Sequence, residues 1–240
     1  VYYKNGNLQS KTSYKEGNKE GKSFFYYKDG NLLKKSSYFN DKLEGQLFYY
    51  YVDGQYKKKE YYKNNKLHGE RILYHKNQGL LEKSYYKNGK REGAYFKYYE
   101  NKILQEKGFY REGKAEGEWL KFYNNGILEA KTNFKNGKKE GLNEVFYKNG
   151  KLFRKGNFID DKREGEHKLF YNDGKLFKKG NYKCGKKEGF HSTFYSNGKI
   201  MYKGSYVNNI ASGNWFYYYQ DGRLEAKKTF RKNIKRKNIW

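Results

Sequence analysis

Proline is absent from this 240-residue chain, cysteine occurs once, and aliphatic side chains are scarce. With Cys184 alone there is no intrachain disulfide framework and no cysteine-built zinc cluster. No apolar run approaches the ~20 residues of a membrane-spanning helix. Leu, Ile, Val and Phe number 46 of 240, a level that in a highly charged chain points towards disorder. Aromatic content argues the other way: it reaches 20%, with 29 tyrosines, whereas disordered chains are poor in rings. A packed structure is therefore expected in which tyrosine supplies the bulk that aliphatics usually provide.

Acidic residues are also in deficit, 26 against 53 Lys and Arg, for a net charge of +27. Abundant Lys, Asn, Tyr and Phe without Pro fit AT-rich codon usage, which accounts for part of that charge without any ligand. Both a cytoplasmic and an exported location are compatible with a chain that starts at Val1 rather than Met and so reads as trimmed or processed.

What is present is a repeat. The string "FKNGKKEG" (134–141) returns as "YKNGKREG", "YREGKAEG" and "YKCGKKEG", and its last glycine recurs every 24 residues: Gly21, Gly45, Gly69, Gly93, Gly117, Gly141, Gly165, Gly189 and Gly213. Ten units fill residues 1–240 as a single array, with no room for a separate catalytic domain. A lysine holds one column in all ten units, from Lys11 to Lys227. Codon usage raises lysine everywhere but cannot lock it to a column. The last turn departs from the pattern, and the basic segment 231–240 reads as a cap or as a cut within a longer array.

Asn-Gly and Asp-Gly between aromatic-rich runs are hairpin signals, because a type I′ turn needs positive φ at both central residues. Each unit carries two such turns, separated by eight to ten residues, the length of a strand. The fold class predicted is all-β: an elongated, twisted antiparallel meander of 24-residue hairpins, a solenoid-like rod. Twenty strands at ~4.8 Å spacing would extend roughly 90 Å. If Asn149-Gly150 is a two-residue turn, Tyr147 opposes Leu152, and one face collects Tyr147, Leu152, Gly156, Phe158 and Gly165. Glycines such as Gly141 would make room there for rings, so this is the expected buried face. The other face would hold Phe146, Phe153, Lys155 and Glu164.

A phosphate-cradling loop is the competing reading of "FKNGKKEG". Such loops need a strand, a glycine-rich loop and a helix whose N-terminus faces the anion; here each loop leads into another strand. His68, His75, His167 and His191 stand at no ligand spacing. No metal, cofactor, catalytic residue or small-molecule substrate is expected. His75 and His68 look like drift from Tyr and Glu in their columns, and Cys184 like an exposed thiol in a turn.

The candidate binding residues are the lysine column, Lys83, Lys107, Lys131, Lys155, Lys179 and Lys203, beside an aromatic column, Tyr98, Phe122, Phe146, Phe170 and Phe194. Rows of lysine next to rings attract polyanions through charge and stacking. The alternative is a solvated face on which Glu140 and Glu164 pair with Lys131 and Lys155, each exposed pair contributing only about 0–1 kcal/mol.

The units resemble MORN repeats, in the variant form found in bacterial proteins of the YwqK-like antitoxin family. The resemblance rests on "KLFKKGNYKCGKKEGFHSTFYSNG" (175–198), with Tyr182, Gly185, Gly189, Tyr195 and Gly198 in the motif's places. It implies β-hairpin repeats in an elongated twisted sheet, roles in protein interaction and, for some members, binding to acidic phospholipid. The expected function is a non-enzymatic scaffold for another protein, an acidic one given the field of a +27 chain. Acidic lipid or another polyanion is the alternative partner, and sequestering a toxin protein is a further one. Self-association is compatible with each.

Overall fold

The computed structural model describes residues 1–231, which form 21 strands and, among the described residues, no helix. The basic segment beyond Arg231 lies outside them. The strands fall into two compact units, Val1–Gly126 and Ile127–Trp240. In each unit neighbouring strands pair antiparallel as a meander, and the two-residue strands Lys42–Leu43 and Lys66–Leu67 share a partner with the strand that follows each of them. The protein is all-β and is built from hairpin repeats, as the 24-residue period predicts.

The two turns of each repeat differ in kind. At Asn136-Gly137 both residues have positive φ, 53° and 83°, and Lys135 opposes Lys138. This is the expected type I′ turn. At Asn149-Gly150 only the glycine does (φ 83°). The Gly150 N–H donates to the Tyr147 carbonyl at 2.9 Å, and the Tyr147 N–H to the Lys151 carbonyl at 2.8 Å. That is a type I turn closed by a glycine bulge, and it corrects the expected two-residue turn. Phe146 therefore opposes Leu152, which puts Leu152 on the lysine side instead of the buried side. A second irregularity next to it restores the register that a two-residue turn would give, so Val145 meets Arg154, Glu144 meets Lys155 and Gly141 meets Phe158.

Alternation along the strands then separates two faces. The core face carries two neighbouring columns, one running Thr12, Ser36, Glu60, Ser84, Gly108, Thr132, Gly156, Gly180 and Gly204, the other Ser23, Leu47, Arg71, Tyr95, Trp119, Asn143, His167, His191 and Trp215. Most of the buried side chains belong to these columns, including Leu47, Tyr95, Trp119 and Trp215.

Where the first column is glycine, a ring from the second lies flat on it. A methyl added at Gly108, Gly156, Gly180 or Gly204 would collide with Trp119, His167, His191 or Trp215, respectively. Each ring N–H donates to the carbonyl that follows its glycine: Trp119 to Phe109 at 3.3 Å, His167 to Asn157 at 2.8 Å, His191 to Asn181 at 2.9 Å and Trp215 to Ser205 at 3.2 Å. Rings from the tyrosine/phenylalanine column fill the gaps between them edge-on. In the second unit the chain Phe158, His167, Tyr182, His191, Tyr206, Trp215 and Phe230 is continuous, with centroid separations of 4.9–6.0 Å. His167 and His191 are thus core rings.

The glycines that accommodate rings are therefore Gly108, Gly156, Gly180 and Gly204. Gly141, expected to serve that purpose, has open space around its α-carbon; it takes φ 78° at a bulge between the Thr132–Asn143 and Phe134–Lys139 pairs.

Repeats are also joined through hydroxyls. Tyr3, Tyr27, Tyr51 and Tyr99 each donate to the carbonyl 23 residues on, at 2.7–2.9 Å, as do Tyr147, Tyr171 and Tyr195 at 2.7–2.8 Å. His75 keeps the bond, its Nε2 lying 3.2 Å from the Tyr98 carbonyl, so the drift at this column preserves the contact.

Candidate functional site

The lysine face is the other side of the sheet. In the first unit its central line alternates strand by strand: Phe24 beside Lys11 and Lys35, then Phe48, Lys59, Ile72, Lys83, Phe96, Lys107 and Leu120. All five apolar side chains are half-buried, packed beneath lysine stems that keep their ammonium groups near solvent. In the second unit the lysines are kept while the intervening residues turn polar: Lys131, Glu144, Lys155, Lys168, Lys179, Ser192 and Lys203, followed by Phe216 and Lys227. The alternating apolar residues were not singled out from the sequence, although Phe24, Phe48 and Phe96 share a column.

The aromatic column stands on the same face, at the bulged turns, where Tyr98, Phe146, Phe170 and Phe194 oppose Leu104, Leu152, Leu176 and Ile200. Phe122 occupies the same column, and its carbonyl accepts from Tyr99 at 2.9 Å. At other repeats lysines reach rings of this column, Tyr74 and Tyr218, and rings beside it, Tyr56 and Phe216. Lys59 lies 3.8 Å from the Tyr56 centroid and 5.5 Å from that of Tyr74; Lys203 lies 5.8 Å from Phe216 and 5.6 Å from Tyr218. Lys83 instead pairs with Glu70 at 2.6 Å, a hydrogen bond that holds the Glu70 carboxyl below its usual range and Lys83 above its own.

Glu140 and Glu164, expected to pair with Lys131 and Lys155, do something else. Their carboxylates accept from the first turn residue of the next repeat, Asp160 N–H at 3.2 Å and Cys184 N–H at 2.7 Å. Glu20, Glu44, Glu92 and Glu188 do the same for Asn40, Asn64, Glu112 and Asn208, at 2.6–3.1 Å. The column secures turns whose N–H groups the positive-φ backbone leaves unpaired. The glutamate column thus has a turn-capping role that the lysine–glutamate reading did not include. Cys184 is exposed in such a turn, with φ 49°.

On the core face of the first unit a charged cluster is centred on the columns that Gly108 and Trp119 fill further along the same unit. Glu60 and Glu82 are 5% and 8% exposed, and Arg71 bridges them at 3.0 and 3.1 Å. Lys58 closes on Glu60 at 2.9 Å and Arg91 on Glu82 at 3.6 Å. Both carboxylates are paired, as burial requires. Among the described residues no group of three His, Cys, Asp or Glu side chains could hold a metal ion.

Against known families, residues 1–16, 19–40, 91–112, 115–136, 139–160, 163–183 and 187–208, more than half the chain, match the MORN repeat variant. The unmatched stretch from 41 to 90 has the same hairpins but carries the Glu60–Arg71–Glu82 cluster where glycine and rings stand elsewhere. No curated protein sequence matches the chain. The crystal structure of TcdB2-TccC3-Cdc42 is similar at 13% identity, over 86% of this chain and 13% of that chain, with a TM-score of 0.22, a likeness too slight to bear on fold or function.

Proposed function

Since the chain belongs to the MORN repeat variant family, a family of repeat scaffolds, we propose that it is a non-enzymatic scaffold that binds an acidic protein along its lysine face. The observation behind this reading is a lysine in the same column of every repeat, beside a glutamate column of which Glu20, Glu44, Glu92, Glu140, Glu164 and Glu188 cap turns. Both units are basic, with 26 Lys and Arg against 15 Asp and Glu in residues 1–126 and 27 against 11 in 127–240. Such a field speeds the approach of acidic partners and disfavours basic ones.

A protein is favoured over a nucleic acid by the state of the rings. Single-stranded nucleic acids stack on open aromatic platforms, whereas Tyr98, Phe122, Phe146, Phe170 and Phe194 are half-buried beside their neighbours. An antitoxin role is a special case, in which the toxin is the acidic protein. The test uses three probes in parallel: fluorescent polyglutamate, single-stranded DNA and vesicles rich in phosphatidylserine. Polyglutamate should bind, with affinity falling steeply between ~50 and ~200 mM salt. Binding confined to vesicles or DNA would replace this reading with the polyanion one, and salt-insensitive binding would remove the lysine face from the account.

A further inference from the structure

On the core face of the second unit two arginines and one glycine line a single small void. Arg154, in the strand Leu152–Ile159, and Arg163, in Lys162–Phe170, flank Gly156, on which the His167 ring lies. With Asn143 and Phe158 they line a void of about 20 Å³. That admits a water-sized group, such as one oxygen of an anion whose remaining atoms face outward.

The repeat supplies its own control. In the first unit the same columns hold Glu82, Ser84, Tyr86 and Arg91. There Arg91 pairs with Glu82 at 3.6 Å, and its Nε and Nη1 donate to the Tyr86 and Tyr110 hydroxyls at 3.1 and 3.0 Å. In the second unit the carboxylate of Glu82 is replaced by Arg154 and the hydroxyl of Tyr86 is lost to Phe158. Arg163 retains the Tyr182 hydroxyl, at 3.2 Å, and stacks on that ring at 5.1 Å. Among the described residues Arg154 has no ion pair, and its buried Nε has no hydrogen-bond partner.

Two acceptors have thus been removed and one cation added, around a void with no carboxylate in its lining. The nearby Glu164 is held by the Cys184 turn and Glu166 by Lys168 at 2.6 Å. Burial, together with both guanidiniums, pushes His167 below its ordinary pKa, which disfavours a further cation on the ring beside the arginines. A buried N–H without a partner and two unneutralised guanidinium forks form the complement of a tetrahedral, doubly charged oxoanion.

We infer that Arg154 and Arg163 form a phosphate-binding site over Gly156, with the phosphate taking the place that the Glu82 carboxylate holds in the first unit. Lys155 of the lysine column also borders the void, but the site does not depend on the acidic-protein reading. Inorganic phosphate is the minimal ligand, and a phosphomonoester or a lipid phosphate presents the same oxygens.

The test follows the arginine Nε–H resonances by NMR while inorganic phosphate is added to the full chain, with acetate and chloride at matched ionic strength as controls. Phosphate should shift the Arg154 resonance saturably, and acetate should not. Arg154→Glu, which copies the Glu82–Arg91 arrangement and should therefore fold, should weaken phosphate binding by roughly tenfold or more. Arg163→Lys, which keeps the charge but loses the fork, should weaken it as well. Parallel titrations with glycerol phosphate and with phosphatidic acid vesicles distinguish the sources: response to phosphate alone assigns a free anion, and response to all three assigns a headgroup-compatible site. Equal shifts with acetate, or phosphate binding unchanged in Arg154→Glu, would overturn the assignment.

Discussion

Substituting Gly108 by alanine tests the core directly. Its φ is not positive, so a methyl causes no backbone strain there. The whole effect comes from the Trp119 ring, whose Cγ lies 2.7 Å from the position the methyl would take, with two ring atoms closer. Ordinary contact begins near ~3.4 Å, so the ring must withdraw by about 1 Å or more. It has little space to do so. Trp119 is 7% exposed and is held between Tyr95, stacked at 5.5 Å, and Tyr110, edge-on at 5.0 Å. Withdrawal also weakens the indole N–H bond to the Phe109 carbonyl. Overpacking at ~1–3 kcal/mol and a lost hydrogen bond at ~1 kcal/mol give an expected destabilisation of about 2–4 kcal/mol.

The assay is urea unfolding followed by tryptophan fluorescence, with hydrogen exchange of residues 104–122 to localise the loss, since repeat arrays can unfold in parts. The double change Gly108→Thr with Trp119→Asn reproduces the Thr132–Asn143 pair, whose side chains bond at 2.6 Å, and should recover most of the stability. Gly141→Ala, at φ 78° but with open space, should cost only about 1–2 kcal/mol. A neutral Gly108→Ala variant, or a double variant no better than the sum of its single changes, would refute the ring-on-glycine core.

Other consequences follow from the same contacts. His167 and His191 are held below their ordinary value of 6.5, chiefly by burial, so the folded state binds fewer protons than the unfolded one as pH drops. Stability should be fully present above pH ~6.5 and decline below it. His167→Trp with His191→Trp, copying Trp119 and Trp215, should remove much of that decline in thermal melts taken from pH 7.5 to pH 5; an unchanged slope would show that other groups set it. Tyr171→Phe deletes the 2.7 Å bond to the Phe194 carbonyl and should cost about 1–2 kcal/mol in urea unfolding, with a neutral result arguing that the tyrosine ladder holds nothing.

The period, the hairpins and the membership of most face columns were legible in the sequence because a repeat samples each position many times. The second turn type was not, since Asn-Gly suits both a type I′ turn and a type I turn with a bulge. A clue was available: the type I′ sites admit Asp41, Asn65, Asp161 and Asn209 as second residue, whereas the bulged turns take glycine except at Gln78 and Lys102, which adopt φ 62° and 67°. The turn-capping role of the glutamates was not legible, because it depends on the next repeat's backbone. The Arg154–Arg163 site required the faces first. Only then does the exchange of Glu82 for Arg154 in one column become a change of local charge.

The central claim is that the core face carries the fold and the lysine face carries binding. Its most direct test is one sample measured twice: Lys35→Glu, Lys59→Glu, Lys83→Glu and Lys107→Glu combined, assayed for urea stability and for polyglutamate affinity. Near-wild-type stability with polyglutamate binding abolished is the predicted result. Retained binding by a folded variant would contradict the account.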